Sequence, residues 1–281
     1  QEESMGKEYD FFKDKGLHNE SIDLGFNHKS GLFVNGGYTR NNHGGWQGDL
    51  TGREKRWHPK DQALMNGMFG FQNRNMNVWY RLDFLDEKIF GPNNGSELQP
   101  EKVSDKDFLT KRYTHQLQSD WKLDNRLDVH AALSYQDYKR RTRTTESDLS
   151  TGEKWLSSAE ASQDITQYKA WIARATVAWN IAPEFSVQPG VEYQWTQGEG
   201  GRIDGTPKVS DLAFFLSAEY KPWEWLSLRP GVRTFIVADY DAPIAIPSVL
   251  TKFKLTKHMD LRLSYAYGFR SPTLQELYFS F

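Results

Sequence analysis

The sequence predicts an all-β protein, an antiparallel transmembrane β-barrel of about twelve strands. Three observations carry that prediction. Apolar residues recur at every second position, not at helical spacing. The alternating runs span roughly 11 to 19 residues, well beyond the roughly 5–6 of an ordinary globular strand. Short turns and long polar connections follow one another along the chain, so the short turns gather at one end of the strands and the long loops at the other. Only 38% of the residues are hydrophobic, although 14% are aromatic, and no apolar run approaches the roughly 18 residues of a helical span.

In chain order the strands are expected near 19–29, 31–42, 62–72, 75–90, 109–123, 126–144, 163–180, 184–197, 208–221, 225–239, 244–256 and 259–270. The clearest places Phe185, Val187, Pro189, Val191, Tyr193 and Trp195 on one face and Ser186, Gln188, Gly190, Glu192 and Gln194 on the other. Another alternates Leu261, Leu263, Tyr265, Tyr267 and Phe269 with Arg262, Ser264, Ala266, Gly268 and Arg270. Short turns are expected at 28–31, 72–75, 124–126, 181–184, 221–224 and 256–259, and long connections at 43–61, 91–108, 145–162 and 198–207, with 240–243 a short exception. Trp171 and Trp179 share one parity, which sets them about 20 Å apart along the normal of a tilted strand. That is the spacing of two aromatic girdles around an apolar band about 25 Å tall. Pro189 and Pro230 lie inside strands and should bulge or loosen the pairing there.

The polar parity carries Arg81, Asp83, Arg174, Glu192, Glu219, Arg229, Arg233, Lys252, Lys254 and Arg262. An Arg or Lys near the bilayer midplane costs roughly 2–4 kcal/mol on the lipid face, so these residues should face water or a polar filling. With 35 Lys+Arg against 37 Asp+Glu the formal charge is −2, which gives no basic footprint for nucleic acid. There is no cysteine, hence no disulfide framework and no thiol nucleophile. No initiator Met, basic n-region or apolar h-region opens the chain, so Gln1 is not expected to be the natural start. Metal-type His spacing, phosphate-cradling Gly loops and a nucleophile elbow are all missing from the sequence, and the Gly-rich run at 198–202 reads as a loop tip. No nucleophile, base and orienter assemble, so neither an enzyme nor a cofactor is expected.

The C-terminal stretch is more specific. Phe269, Arg270, Ser271 and Pro272 close a strand and are followed by Leu274, Glu276, Leu277 and Tyr278. Ser271 is a capping residue type and Pro272 suits a first helical position, so a helical turn over 273–277 should fold across the barrel mouth. This run resembles the barrel motif of TonB-dependent outer-membrane receptors. The haem and iron-chelate branch is the most similar, with Ser271 where haem receptors carry Ala. The likeness extends over 208–281. It implies active import of a large scarce nutrient across the bacterial outer membrane, with haem or an iron chelate first and cobalamin as the alternative. It also implies a barrel of about twenty-two strands filled by a plug, the energy-coupling protein TonB as partner, and a surface lipoprotein or haemophore as a further one. On this reading the chain is an internal piece of one barrel domain, with plug and C-terminal strands elsewhere. The rival is a complete twelve-stranded passive channel ending on the alternating Leu277, Phe279 and Phe281.

Within that frame the plug should face Arg174, Glu192, Glu219, Arg229, Arg233 and Arg262. The substrate site should draw on His43, Trp46, Arg53, Arg56, Trp57 and His58 in the first long connection. That mix of imidazole, indole and guanidinium can stack a flat macrocycle and pair its carboxylates. His130 is expected on the lumenal parity and His28 and His258 at short turns.

Overall fold

The computed structural model describes residues 16–201 and 203–278. One antiparallel sheet contains every strand, each paired with its sequence neighbour: β1 (Leu17–Asn27), β2 (Leu32–His43), β3 (Lys60–Gln72), β4 (Met76–Gly91), β5 (Lys102–Lys122), β6 (Leu127–Asp148), β8 (Ile165–Ala182), β9 (Phe185–Glu199), β10 (Lys208–Trp223), β11 (Leu226–Val237), β12 (Ile246–Thr256) and β13 (Met259–Ala266). A short β7 (Lys154–Leu156) pairs only with the outer end of β6, and a helix α1 (Leu274–Tyr278) follows β13. The sheet is open, with β1 and β13 as its two edges. Phe279 and Phe281 lie outside the described residues.

Register turns the alternation into two faces. Tyr135, Trp171 and Trp195 stand in line across β6, β8 and β9, and so do Leu133, Ala173 and Tyr193. All lie on the apolar face. That face is bare: Ile22, Leu24, Phe26, Phe69, Ile236 and Leu263 are more than half exposed, Leu24 at 71%. Few hydrophobic residues are buried by comparison, among them Val103, Val209 and Leu274. A sheet that turns its large apolar side chains outward is built for a lipid solvent. No described helix is long and apolar enough to cross a membrane.

The structure departs from the sequence reading at the long-loop end. β5 begins at Lys102 and β6 runs to Asp148, so much of the expected connection 91–108 is ladder, paired from Lys102 opposite Asp148 to Phe108 opposite Thr142. Polar and charged residues occupy both faces of this stretch, which hid the strand from a reading based on apolar alternation. β13 stops at Ala266, short of residue 270. Its partner β12 begins only at Ile246, and the backbone N–H of Tyr267 makes the last bond, to the carbonyl of Pro247. Neither proline bulges. Pairing is interrupted beside Pro189 on the β8 side and beside Pro230 on the β10 side, while the other neighbour keeps register. The missing N–H costs a ladder bond on one side only. The register shifts fall at the short turns instead, near Ala182, Trp223 and Thr256.

Candidate functional site

The lumenal face at the long-loop end carries a recess of about 550 Å³. Phe108 from β5, Tyr138 and Arg140 from β6 and Tyr168 from β8 line it, with Glu160 and Asp164 from the loop after β7 and Gln275 from α1 closing one side. The Arg140 guanidinium lies 4.5 Å above the Phe108 ring. Tyr138 and Tyr168 stand opposite each other in register with ring centroids 6.2 Å apart, and the Tyr168 hydroxyl accepts a 3.0 Å hydrogen bond from Gln275. Tyr168 and Leu274 both lie over Gly198, where a Cβ would come within 3.0 Å of each, so this glycine permits the close approach. The recess joins aromatic faces to the Arg140 guanidinium and to the carboxylates of Glu160 and Asp164, a surface for a flat group that carries polar edges. Sequence reasoning missed these residues. Their signal was aromatic side chains on the polar parity near a long loop, at Phe108, Tyr138 and Tyr168.

The residues singled out in the first long connection meet in part. Trp46 and Trp57 exchange backbone hydrogen bonds of 2.9 and 3.0 Å and pack edge to face at 5.4 Å, with His43 6.0 Å from Trp57. His43, Arg56, Trp57 and His58 line a separate lumenal cavity of about 560 Å³ beside β1. Nδ1 of His43 accepts the N–H of Gly45 at 3.2 Å, and burial lowers the pKa of this imidazole, which also bonds to the backbone of His58. The Gly45 amide thus occupies the Nδ1 lone pair of His43. Arg53 turns away from the cavity: it makes a bidentate pair with Asp105 at 2.6 and 3.0 Å and bonds to the Asn93 carbonyl, tying this loop to the next. Arg56 pairs with Asp49 at 2.7 Å.

The inward charges satisfy one another in two groups. Glu192, only 8% exposed, accepts from Arg233 at 2.6 Å and from Gln194 at 2.9 Å, with Arg174 at 3.6 Å. Phe215 lies under both guanidiniums, 4.9 Å from Arg174 and 5.8 Å from Arg233. Nearer the short turns Glu219 holds Arg229 at 3.3 Å and Lys221 at 3.2 Å. Arg262 stands opposite Lys252 in register, and Lys252 pairs with Asp260 at 2.8 Å. His130 bonds to Asp120 on the same face at 2.8 Å. Two arginines on one glutamate leave this group net positive.

The C-terminal motif forms a clasp. Thr273, not Ser271, is the cap of α1. Its hydroxyl accepts from the N–H of Glu276, and the Glu276 carboxylate accepts the N–H of Thr273 at 2.7 Å, a reciprocal capping box. Pro272 precedes the cap, and its fixed φ sets the entry of the chain. Arg270 grips Glu276 with two bonds of 2.6 and 2.9 Å. Leu274 is buried against Ile203 and Val209 with Tyr168, Tyr240 and Leu277 around it, while Phe269 packs on Phe235 at 5.4 Å. Tyr278 ends the helix and is exposed. Burial pushes the Tyr240 phenol up to about 12, with Asp211 and Asp239 adding to the shift.

Arg270 first and Thr273 next hold the Glu276 carboxyl down at about 2. A depressed carboxylate stabilises the clasp fully above its unfolded value near 4.3 and loses that contribution as pH falls through about 2. Amide-exchange protection over 273–278 should therefore fade between about pH 4 and 2, and Glu276→Gln should show low, pH-independent protection in that window.

An apolar outer face, charged lumenal face, short turns at one end and a built-up mouth at the other define an outer-membrane β-barrel. Residues 188–281 match the family described as TonB dependent receptor-like, beta-barrel, and these strands are continuous with those before them in one sheet. Over those residues the chain is similar to the barrel of TonB-dependent receptors. Among solved structures the outer membrane transporter YddB from Escherichia coli is similar with a TM-score of 0.60 and 12% identity, covering 84% of this chain and 36% of that one. The siderophore receptor PiuA from Acinetobacter baumannii gives 0.58 and 10%, with 90% and 47% covered. The ferric yersiniabactin uptake receptor FyuA from Yersinia pestis gives 0.55 and 12%, with 88% and 44%. The chain thus spans less than half the length of each of these three structures. The search of curated proteins found no match.

Proposed function

We propose that the protein carrying this chain imports an iron chelate across the outer membrane with energy delivered through TonB, haem and cobalamin being the next cargoes to test. The carrying observation is the recess of Phe108, Tyr138, Arg140 and Tyr168 on the lumenal side of the mouth, within a barrel of this family. The siderophore and ferric-yersiniabactin receptors among its structural relatives support an iron chelate. A plug and the remaining strands belong to the same protein on this reading, consistent with the 36–47% of those relatives that the chain covers. The plug's acidic groups would meet the net positive wall of Arg174 and Arg233 around Glu192. The protein works by binding and passage, without catalysis.

Uptake of labelled ferric chelates, haem and cobalamin by cells expressing the whole protein, with and without TonB, tests this reading. Uptake of one ferric chelate that vanishes without TonB is expected. Uptake that persists without TonB would establish the passive channel instead. For the transported chelate, Arg140→Ala should raise Kd about tenfold, since a charge-assisted contact is worth roughly 1.5–3 kcal/mol and this one is partly hydrated. Titration of the purified receptor by tryptophan fluorescence measures it.

A further inference from the structure

The lipid-facing side is asymmetric in charge. From the row of Tyr135, Trp171 and Trp195 toward the short turns, the outward positions of the twelve long strands carry no charged residue. Immediately on the other side of that row the character changes. Asp137 and Lys169 come first, then Lys111 directly opposite Lys139, then Arg141 opposite Ile165. Rows are about 7 Å apart, two residues of strand each. Like charges placed opposite each other destabilise a sheet, so Lys111 against Lys139 is an arrangement that packing alone disfavours.

The neighbouring carboxylates offset only part of this patch's positive charge. Lys111 has Asp86 at 3.7 Å, Asp107 is taken by Lys88 and Arg143, and Asp137, which accepts from Gln167, keeps its charge opposite Lys169, leaving Lys139 and Arg141 without a carboxylate. Lys139, Arg141 and Lys169 make no ion pair among the described residues. Below the aromatic row, on the same strands, the outward surface is dented. Ala131, Ala173 and Ala175 form the floor and Leu133 and Tyr193 the sides of an almost wholly apolar groove of about 320 Å³. Leu133 lies six residues from Lys139, about 20 Å along the strand, which is the reach of a fatty acyl chain.

We infer that this face holds one phosphorylated glycolipid of the outer leaflet, its phosphates against Lys139, Arg141 and Lys169 and an acyl chain in the alanine groove. Cations just outside the apolar band attract anionic headgroups, and small side chains beneath them leave room for the tail. The site is independent of the transported cargo and rests only on the membrane orientation of the barrel.

The test uses the whole receptor in detergent and native mass spectrometry with three probes: bis-phosphorylated lipid A, dephosphorylated lipid A and inorganic pyrophosphate. The phosphorylated lipid should bind at least tenfold more tightly than the dephosphorylated one. Lys139→Glu with Arg141→Glu should remove most of that difference, and Ala173→Trp should weaken both lipids. Equal retention of the two lipids, or retention unchanged in both variants, overturns the inference. Pyrophosphate binding as tight as the phosphorylated lipid would also overturn it, marking a free-phosphate site. Heat-modified gel mobility reports folding; if the double Glu variant fails to fold, Lys139→Gln with Arg141→Gln is read by the same criteria.

Discussion

Ala175→Arg should destabilise the barrel by about 2–4 kcal/mol, the largest effect of any single lipid-facing change considered. Ala175 lies midway between Trp171 and Trp179 on β8 and shares their outward parity, which places it near the bilayer midplane. The same substitution at Ala132, one position off parity on β6 and facing the lumen opposite Arg174, should cost under about 1 kcal/mol, since water reaches that face. Urea unfolding of the reconstituted receptor measures both. Equal costs at the two positions would mean that the two faces have been assigned the wrong way round.

Glu192→Ala should cost about 2–3 kcal/mol in the same assay. The carboxylate is nearly buried, and its loss leaves Arg233 and Arg174 facing each other across Phe215 without an anion. Removing one partner of a fully buried pair costs about 3–5 kcal/mol, and the partial exposure of both arginines reduces it. Arg174→Ala with Glu192→Ala should recover less than Arg233→Ala with Glu192→Ala, because Arg233 holds the shorter bond, at 2.6 against 3.6 Å. Equal recovery would place the two cations on the same footing.

Much of the fold was legible because a barrel wall writes itself into parity. Val187, Val191 and Tyr193 against Gln188, Glu192 and Gln194 leave one arrangement in which lipid meets carbon and water meets charge. The helix after Pro272 was legible too, down to its length, although its cap was misplaced by two residues. The pattern of Thr273 with Glu276 three residues on is the stronger signal. What escaped was the part outside the membrane. At 102–108 and 142–148 polar and charged residues stand on both faces, so alternation disappears and the strands look like loops. Site residues were harder still. Arg53 and His43 are the residue types a ligand site needs, yet Asp105 and the Gly45 amide had already claimed them, and only coordinates reveal such claims. Phe108, Tyr138, Arg140 and Tyr168 are scattered over sixty residues and converge solely through the register of β5, β6 and β8.

The length of β5 and β6 has a consequence for how a cargo is met. Their 21 and 22 residues extend about 70 Å, or about 55 Å above a tilt near 40°, roughly twice the apolar band. The mouth on this side is therefore a stiff hydrogen-bonded parapet standing clear of the bilayer. On the proposed import function, a cargo arriving there would dock against walls already set during folding, so little chain would have to be ordered on capture. Discrimination at this rim would then follow the outline and charge of the arriving molecule, read at a distance from the lipid bilayer.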